Sequence, residues 1–303
     1  MIKGKKRKLS RLVGSILVLL FFFAYYVSTN TNNNFAPQQV VPRILNEEFA
    51  QLEGKLCVSF IDVGQADSIL IEQGDACMLI DCGTEAAAPA IIDYLRSRNI
   101  DKLDYLALTH PHEDHIGGAT RVLQTFPVAQ VYMPDKPHDI AAYRQTLEAI
   151  EQQGTTLITA EAGSSFSLGE AELQILAPLQ SYEDLNNCSI VLRLVYQDTS
   201  FLFAGDAEAA SEADMLMSGD ELSADLIKLG HHGSNKSSYR DFLEAVSPQI
   251  AIISCGKDND YGHPSPETLQ NLQELSINTF RTDEEGSIMA ISDGTKIKIY
   301  TQR

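Results

Sequence analysis

The sequence predicts an α/β fold of four layers, in which two mixed β-sheets pack face to face with helices on both outer surfaces. Short runs of β-branched and aliphatic residues, bounded by turn residues, recur after Lys55. From residue 87 onward they alternate, in both halves, with segments whose apolar residues are spaced for one helix face. Several of the runs also end in His, Asp or Gly, so that polar side chains would collect along one rim. The 303 residues are ample for one large core. One domain at 51–303, preceded by a linker at 28–50 and an N-terminal segment at 1–27, accounts for them best.

The first eleven residues hold Lys3, Lys5, Lys6, Arg7, Lys8 and Arg11 with no acid, and Leu12 to Val27 is apolar and uncharged. This is a membrane-targeting pattern. As a helix it would reach about 24 Å, short of the ~20 residues a bilayer core asks for and slightly long for a secretory signal. A single-pass anchor and a cleaved signal therefore compete. The lack of an Ala-x-Ala site and the pair Tyr25 and Tyr26, suited to an interfacial belt, favour the anchor, and no cysteine follows to carry a lipid. The basic flank is expected to stay in the cytoplasm. The C-terminal domain is then extracytoplasmic at the cell membrane, with secretion as the alternative. Ser28 to Gln39, rich in Asn and Thr with Pro37, reads as a solvated tether.

Strands are expected at Leu56–Asp62, Ser68–Glu72 and Ala76–Asp81, the last two joined by the turn Gln73-Gly74-Asp75. Ile91, Ile92 and Leu95 mark a helix between Ala87 and Asn99, and Ile140, Tyr143, Leu147 and Ile150 mark another. Between them lie strands at Leu103–Leu108 and Gln130–Met133. Ala171–Leu176, Ser189–Tyr196 and Thr199–Ala204 open a β-rich second half. There, helices near Ala207–Ser218, Ser237–Val246 and Pro266–Leu275 alternate with strands at Leu226–Leu229, Ile250–Ser254 and Ile288–Ser292.

With the six N-terminal basic residues set aside, 17 Lys and Arg face 41 Asp and Glu, a formal charge of −24. Nonspecific binding to nucleic acid rests on Lys and Arg neutralising phosphates, and no basic cluster follows the N-terminus, so long DNA is a poor default ligand. Cys57, Cys77, Cys82, Cys188 and Cys255 are odd in number and three lie in apolar strands, which favours buried thiols over a Cys77–Cys82 bridge.

Residues 109 to 118 read Thr-His-Pro-His-Glu-Asp-His-Ile-Gly-Gly, directly after the Leu103–Leu108 run. Imidazole nitrogens and carboxylate oxygens at this density suit zinc, iron or manganese. The alternate spacing of His110 and His112 lets both reach one ion, while Asp114 and His115 point toward a second. A lone His-x-His is more often a capping loop; the full string closed by Gly-Gly is not. Asp206 ends the apolar run Phe201–Ala204 after Gly205, as a metal ligand or as the N-cap of the next helix. His231 and His232 end another run.

The string resembles the signature of metallo-β-lactamase-fold hydrolases. Phe60-Ile61-Asp62-Val63-Gly64-Gln65-Ala66-Asp67-Ser68, Leu79–Gly83, Phe203–Asp206, Lys228–Ser234 and Tyr261–Pro264 resemble the hydrolase domain of ComEC-type competence proteins, in order from about Leu56 to Tyr300. The resemblance implies two divalent ions, zinc or manganese. His110 and His112 would hold the first, and Asp114, His115 and one of His231 or His232 the second, with Asp206 bridging. Asp81 would brace the His loop from behind, as Asp62 and Asp67 could, unless these two are turn residues. Asn186 and Asn187 stand where many relatives place a third imidazole for the first ion. His263 could compensate for it, or could equally be a loop histidine hydrogen-bonded to backbone.

Asp114, His231, His232 and His263 are thus the groups expected to meet substrate or water. The resemblance implies metal-dependent hydrolysis of phosphodiesters, either a small phosphodiester or nucleic acid as in DNA uptake. The rivals are a cell-envelope esterase for choline-phosphate or teichoic-acid esters, a β-lactamase, and a non-catalytic surface scaffold. No protein partner is evident.

Overall fold

A computed structural model describes Leu52 and residues 54–303; the N-terminal segment and the linker lie outside the described residues. The first sheet has the order β15-β14-β1-β2-β3-β4-β5-β6. Its strands are β1 (Leu56–Phe60), β2 (Ile69–Gln73), β3 (Ala76–Ile80), β4 (Leu103–Ala107), β5 (Val128–Met133), β6 (Thr156–Thr159), β14 (Ile288–Ser292) and β15 (Ile297–Thr301). The second has the order β13-β12-β11-β10-β9-β8-β7. It consists of β7 (Ser165–Leu168), β8 (Ala171–Ala177), β9 (Val191–Tyr196), β10 (Thr199–Phe203), β11 (Leu226–Lys228), β12 (Ile250–Ile253) and β13 (Asn278–Arg281).

Both sheets are mixed, for a local reason. The β2–β3 hairpin closes on Gly74, whose φ of +60° suits a two-residue turn, and so forces antiparallel pairing. β3, β4, β5 and β6 are parallel because helices return the chain between them. The same holds for β10 to β13.

Alternation along each strand sorts the apolar side chains into layers. Val58, Phe60, Ile71 and Met78 of the first sheet meet Leu173, Leu192, Phe201 and Phe203 of the second in the buried centre. The opposite face of the first sheet is covered by helices α1 (Ala88–Ser97), α3 (Ala119–Thr125) and α4 (Ala141–Gln153). That of the second is covered by α5 (Ala209–Ser218), α6 (Arg240–Val246) and α7 (Pro266–Glu274). Two single turns, α2 (Glu113–Ile116) and α8 (Thr282–Glu285), complete the α-helices among the described residues. The four-layer αββα arrangement expected from the sequence is the one observed. None of the described helices is long and apolar enough to cross a membrane.

All five cysteines are buried free thiols. Burial pushes Cys57 up to about 12 and Cys77 up to about 11, so neither is a reactive thiolate near neutrality.

Candidate metal centre

The C-terminal ends of parallel strands form the rim on which open α/β sheets place their ligands. β4 delivers Thr109, His110 and His112 to that rim, and α2 follows at once with Asp114 and His115. The Gly-Gly that closes the string has a packing reason: a Cβ on Gly118 would run into the Cys82 carbonyl oxygen. β10 delivers Asp206 through Gly205, which sits at φ +54° with Ser189 and Thr109 against its missing side chain. β11 delivers His231 and His232. Asp81, His231 and His232 all take left-handed backbone, at φ 59°, 47° and 54°. Such strain in non-glycine residues persists only where the surroundings enforce it, and it gathers at functional sites.

All seven histidines of the chain lie on one path of ring contacts. It runs His138, His112, His110, His115, His232, His231, His263, with centroids 4.1 to 6.2 Å apart. At its middle, Asp114, His115, Asp206 and His232 bring one ligand atom each within 4.8 Å of one another. His115 Nε2 is 3.3 Å from Asp206 Oδ2, and His232 Nε2 is 3.3 Å from Asp114 Oδ2. Donors about 2.0–2.1 Å from one tetrahedral ion stand roughly 3.3 Å apart. His115 Nε2 and Asp206 Oδ1 are buried without a hydrogen-bond partner. Leaving such groups orphaned is costly, and a cation between them removes the cost. These residues therefore fit a divalent ion.

The tautomers are set for it. His115 Nδ1 lies 2.7 Å from Asp81 Oδ2, and His232 Nδ1 donates to the Ser254 carbonyl at 2.9 Å, so both neutral rings turn an Nε2 lone pair into the cluster. Asp81 is held in turn by the Thr109 amide at 2.8 Å and hydroxyl at 2.7 Å. Burial opposes charge on His115, but Asp206, Asp81 and Asp114 outweigh it and hold its pKa well above the ordinary imidazole value. His232 is raised likewise, against burial, chiefly by Asp206. Burial also disfavours charge on Asp206, yet His115 and His232 hold its carboxyl well below the usual range. A cation competes with protons for these same nitrogens.

The pair His110 and His112 is less complete. His110 Nε2 lies 2.8 Å from His112 Nδ1 and 3.8 Å from Asp206 Oδ2, and burial lowers both imidazole pKa values. Asp206 thus faces both halves of the site. The Asn186–Cys188 turn brings no third imidazole to the pair. Asn186 lies in the 3-10 turn Asn186–Cys188, with Oδ1 buried and unpartnered and Nδ2 donating to Glu208 Oε1 at 2.9 Å.

A family model described as the metallo-beta-lactamase superfamily matches residues 61–257, and everything in the cluster falls inside that span. The chain belongs to the metallo-beta-lactamase superfamily. ComE operon protein 3 of Bacillus subtilis (strain 168) is 32% identical over 256 residues, 76% of this chain and 32% of that protein. Competence protein ComA of Neisseria gonorrhoeae is 30% identical over 78% of this chain and 32% of its own length. The chain thus spans about a third of the curated relatives it matches. Among solved structures, the metallo-beta-lactamase fold protein YhfI of Bacillus subtilis superposes with a TM-score of 0.53 at 13% identity, covering 75% of this chain and 95% of that one. CmlA, a diiron beta-hydroxylase from Streptomyces venezuelae, gives 0.50 at 16% identity over 76% and 53%. Both show the fold alone.

Within this metallo-beta-lactamase fold the two adjacent histidines separate. His232 is buried in the cluster, whereas His231, at the mouth, turns Nδ1 to Glu208 Oε1 at 3.0 Å and leaves Nε2 3.9 Å from Asp206. Asp206 does not cap the following helix, because α5 begins at Ala209 with Glu208 at its N-cap. Asn187 serves that helix instead. Its Oδ1 accepts from the Glu208 and Ser211 amides, and its Nδ2 donates to Asp184, so it holds the segment that carries Glu208. Asp62 also lies apart: its carboxylate accepts from Arg303 at 2.9 Å and from the Gly64 amide, as a turn residue would. His263 is outside the four-group cluster, its backbone held by Asn259 and its ring edge against His231.

Sequence reasoning missed Glu208 and Lys228. Lys228 is fully buried and donates to Asp67 Oδ2 and, at 2.9 Å, to the Gly205 carbonyl. Asp67, Asp81 and His115 are close enough for an ion themselves, but the Lys228 ammonium already supplies a cation there. Its position inside a motif that also ends in His-His was the available signal.

Proposed function

We propose that this chain is a metal-dependent phosphodiesterase with a dinuclear centre. Asp114, His115 and His232 would hold one ion and His110 and His112 the other, with Asp206 between them. The observation that carries the reading is the orphaned pair of buried atoms, His115 Nε2 and Asp206 Oδ1, inside a cluster of donors spaced for an ion. Two bound divalent ions, zinc or manganese, would supply Lewis-acid polarisation of a phosphoryl oxygen and acidification of water. The protein's own contribution is orientation. Asp81 and the Ser254 carbonyl fix the two buried imidazoles, and Glu208 holds His231 with Nε2 facing the centre, where it can hydrogen-bond a substrate oxygen.

One of the relatives is named a competence protein, which makes DNA the neighbouring reading. The excess of acidic over basic residues, 41 against 23 in the whole chain, favours a small phosphodiester, and the envelope esters of choline-phosphate or teichoic acid belong to that class. The N-terminal pattern supports an extracytoplasmic domain tethered to the membrane. The test is hydrolysis of an aryl phosphodiester, plasmid DNA, a choline-phosphate ester and a β-lactam, each with zinc and with manganese. Turnover of the phosphodiesters is expected; turnover of the β-lactam alone would overturn the reading.

A further inference from the structure

The path of rings does not end at His263. Beyond it stands Tyr261, 5.8 Å away and stacked at 27° on the His263 ring. Its side chain is 73% exposed; among the described residues only Tyr239 is another exposed aromatic. A large ring left in water beside a catalytic mouth, with one face already on an imidazole, is an unfinished stack.

The loop that carries Tyr261 is built to hold it. Asn259 Oδ1 accepts from the Tyr261 amide at 3.2 Å and the His263 amide at 3.0 Å, while Asn259 Nδ2 donates to the Gly256 carbonyl at 2.9 Å. The Gly256 amide donates to Gln65 Oε1 at 2.9 Å, which ties the loop to the one carrying Asp67. On the far side, His263 touches His231, and His231 Nε2 faces Asp206. A molecule with its phosphate at the centre would therefore pass His231 and His263 before it reached Tyr261.

The chemistry of the loop narrows what the ring receives. Lys257 is followed by Asp258 and Asp260, so the loop itself carries net negative charge and does not attract a polyanion backbone. A quaternary ammonium is recognised by a cage of several aromatic faces, and here one ring is offered, its other face taken by His263. A planar ring extends the stack at no such cost, since every nucleobase has a π-face.

We infer that Tyr261 is a stacking platform for a nucleobase attached to the phosphodiester bound at the metal centre. The inference rests on the phosphodiesterase reading and narrows its substrate to nucleotidyl esters. The test uses the full-length protein and three esters with one leaving group: thymidine 5′-(4-nitrophenyl phosphate), methyl 4-nitrophenyl phosphate and 4-nitrophenyl phosphorylcholine. Tyr261→Ala is expected to raise KM for the thymidine ester roughly 5- to 150-fold and to leave the methyl ester unchanged, with Tyr261→Trp restoring the thymidine ester. Equal effects on both esters, no effect on either, or a loss confined to the choline ester would overturn the inference while leaving hydrolysis intact. If no ester is turned over, the phosphodiesterase reading fails by itself. Ligand-observed NMR with uncleavable dithymidine methylphosphonate then decides the stacking: binding by wild type that Tyr261→Ala abolishes upholds it, and no binding overturns it.

Discussion

Lys228 shows how far single residues carry this site. It is an ammonium with no exposed surface, set between Asp67 of the first sheet's loops and the Gly205 carbonyl beside Asp206. Removing one partner of a buried pair leaves the other charged and unsolvated, at a cost of about 3–5 kcal/mol. Lys228→Met is therefore expected to lower the urea midpoint sharply, and Asp67→Asn combined with Lys228→Met to recover part of the loss; equal midpoints for wild type and Lys228→Met would refute the role. At this scale the sequence was partly legible. The six-residue string His110 to His115 and Asp206 stand together because their spacing and strand ends leave few alternatives. Which of His231 and His232 turns inward is decided by two left-handed backbone positions and by the Ser254 carbonyl, neither visible in a string of letters. What Asn187 does was hidden for the same reason, since an amide that caps a helix is not recognisable as one until the helix start is known.

Among the elements, α5 carries a titrating group the centre does not use. Glu212 is buried there and accepts hydrogen bonds from the Ser238 and Tyr239 amides at the start of α6. Burial pushes its pKa from 4.5 up to about 7, with the two amides opposing the shift. A carboxyl with a raised folded pKa contributes stability that is complete below pH 4.5 and is lost as pH rises through about 7, on the order of 3 kcal/mol. Glu212→Gln should flatten that part of the profile, so the difference in unfolding free energy between wild type and variant should shift between pH 5 and pH 8. A constant difference would show that Glu212 ionises normally. The inner strands were legible because both faces are buried and their apolar runs are continuous. β6, β7, β13 and β15 were not, and these four are the edges of the two sheets, where exposed positions dilute the pattern.

For the whole molecule, the layers followed from the interleaving of strands and helices, and the rim followed from the strand ends. Net charge acts at the same scale. With 41 acidic residues in the chain, repulsion should weaken DNA association at low salt and screening should relieve it, since the Debye length falls to ~8 Å near 0.15 M. Slow DNA cleavage that moderate salt does not depress is expected, beside ready hydrolysis of small esters. Fast cleavage collapsing between low and physiological salt would instead reveal a local basic groove. The proposed tether, with the domain outside the membrane, predicts that protease added to intact spheroplasts removes the domain; full protection would contradict that proposal. The central claim, a dinuclear centre bridged by Asp206, is tested most directly by metal analysis of the purified protein after zinc or manganese supplementation, beside Asp206→Ala. The account predicts up to two ions per chain in the wild type and a loss in the variant. A wild type that retains no ion, or an Asp206→Ala protein that keeps both, would contradict it.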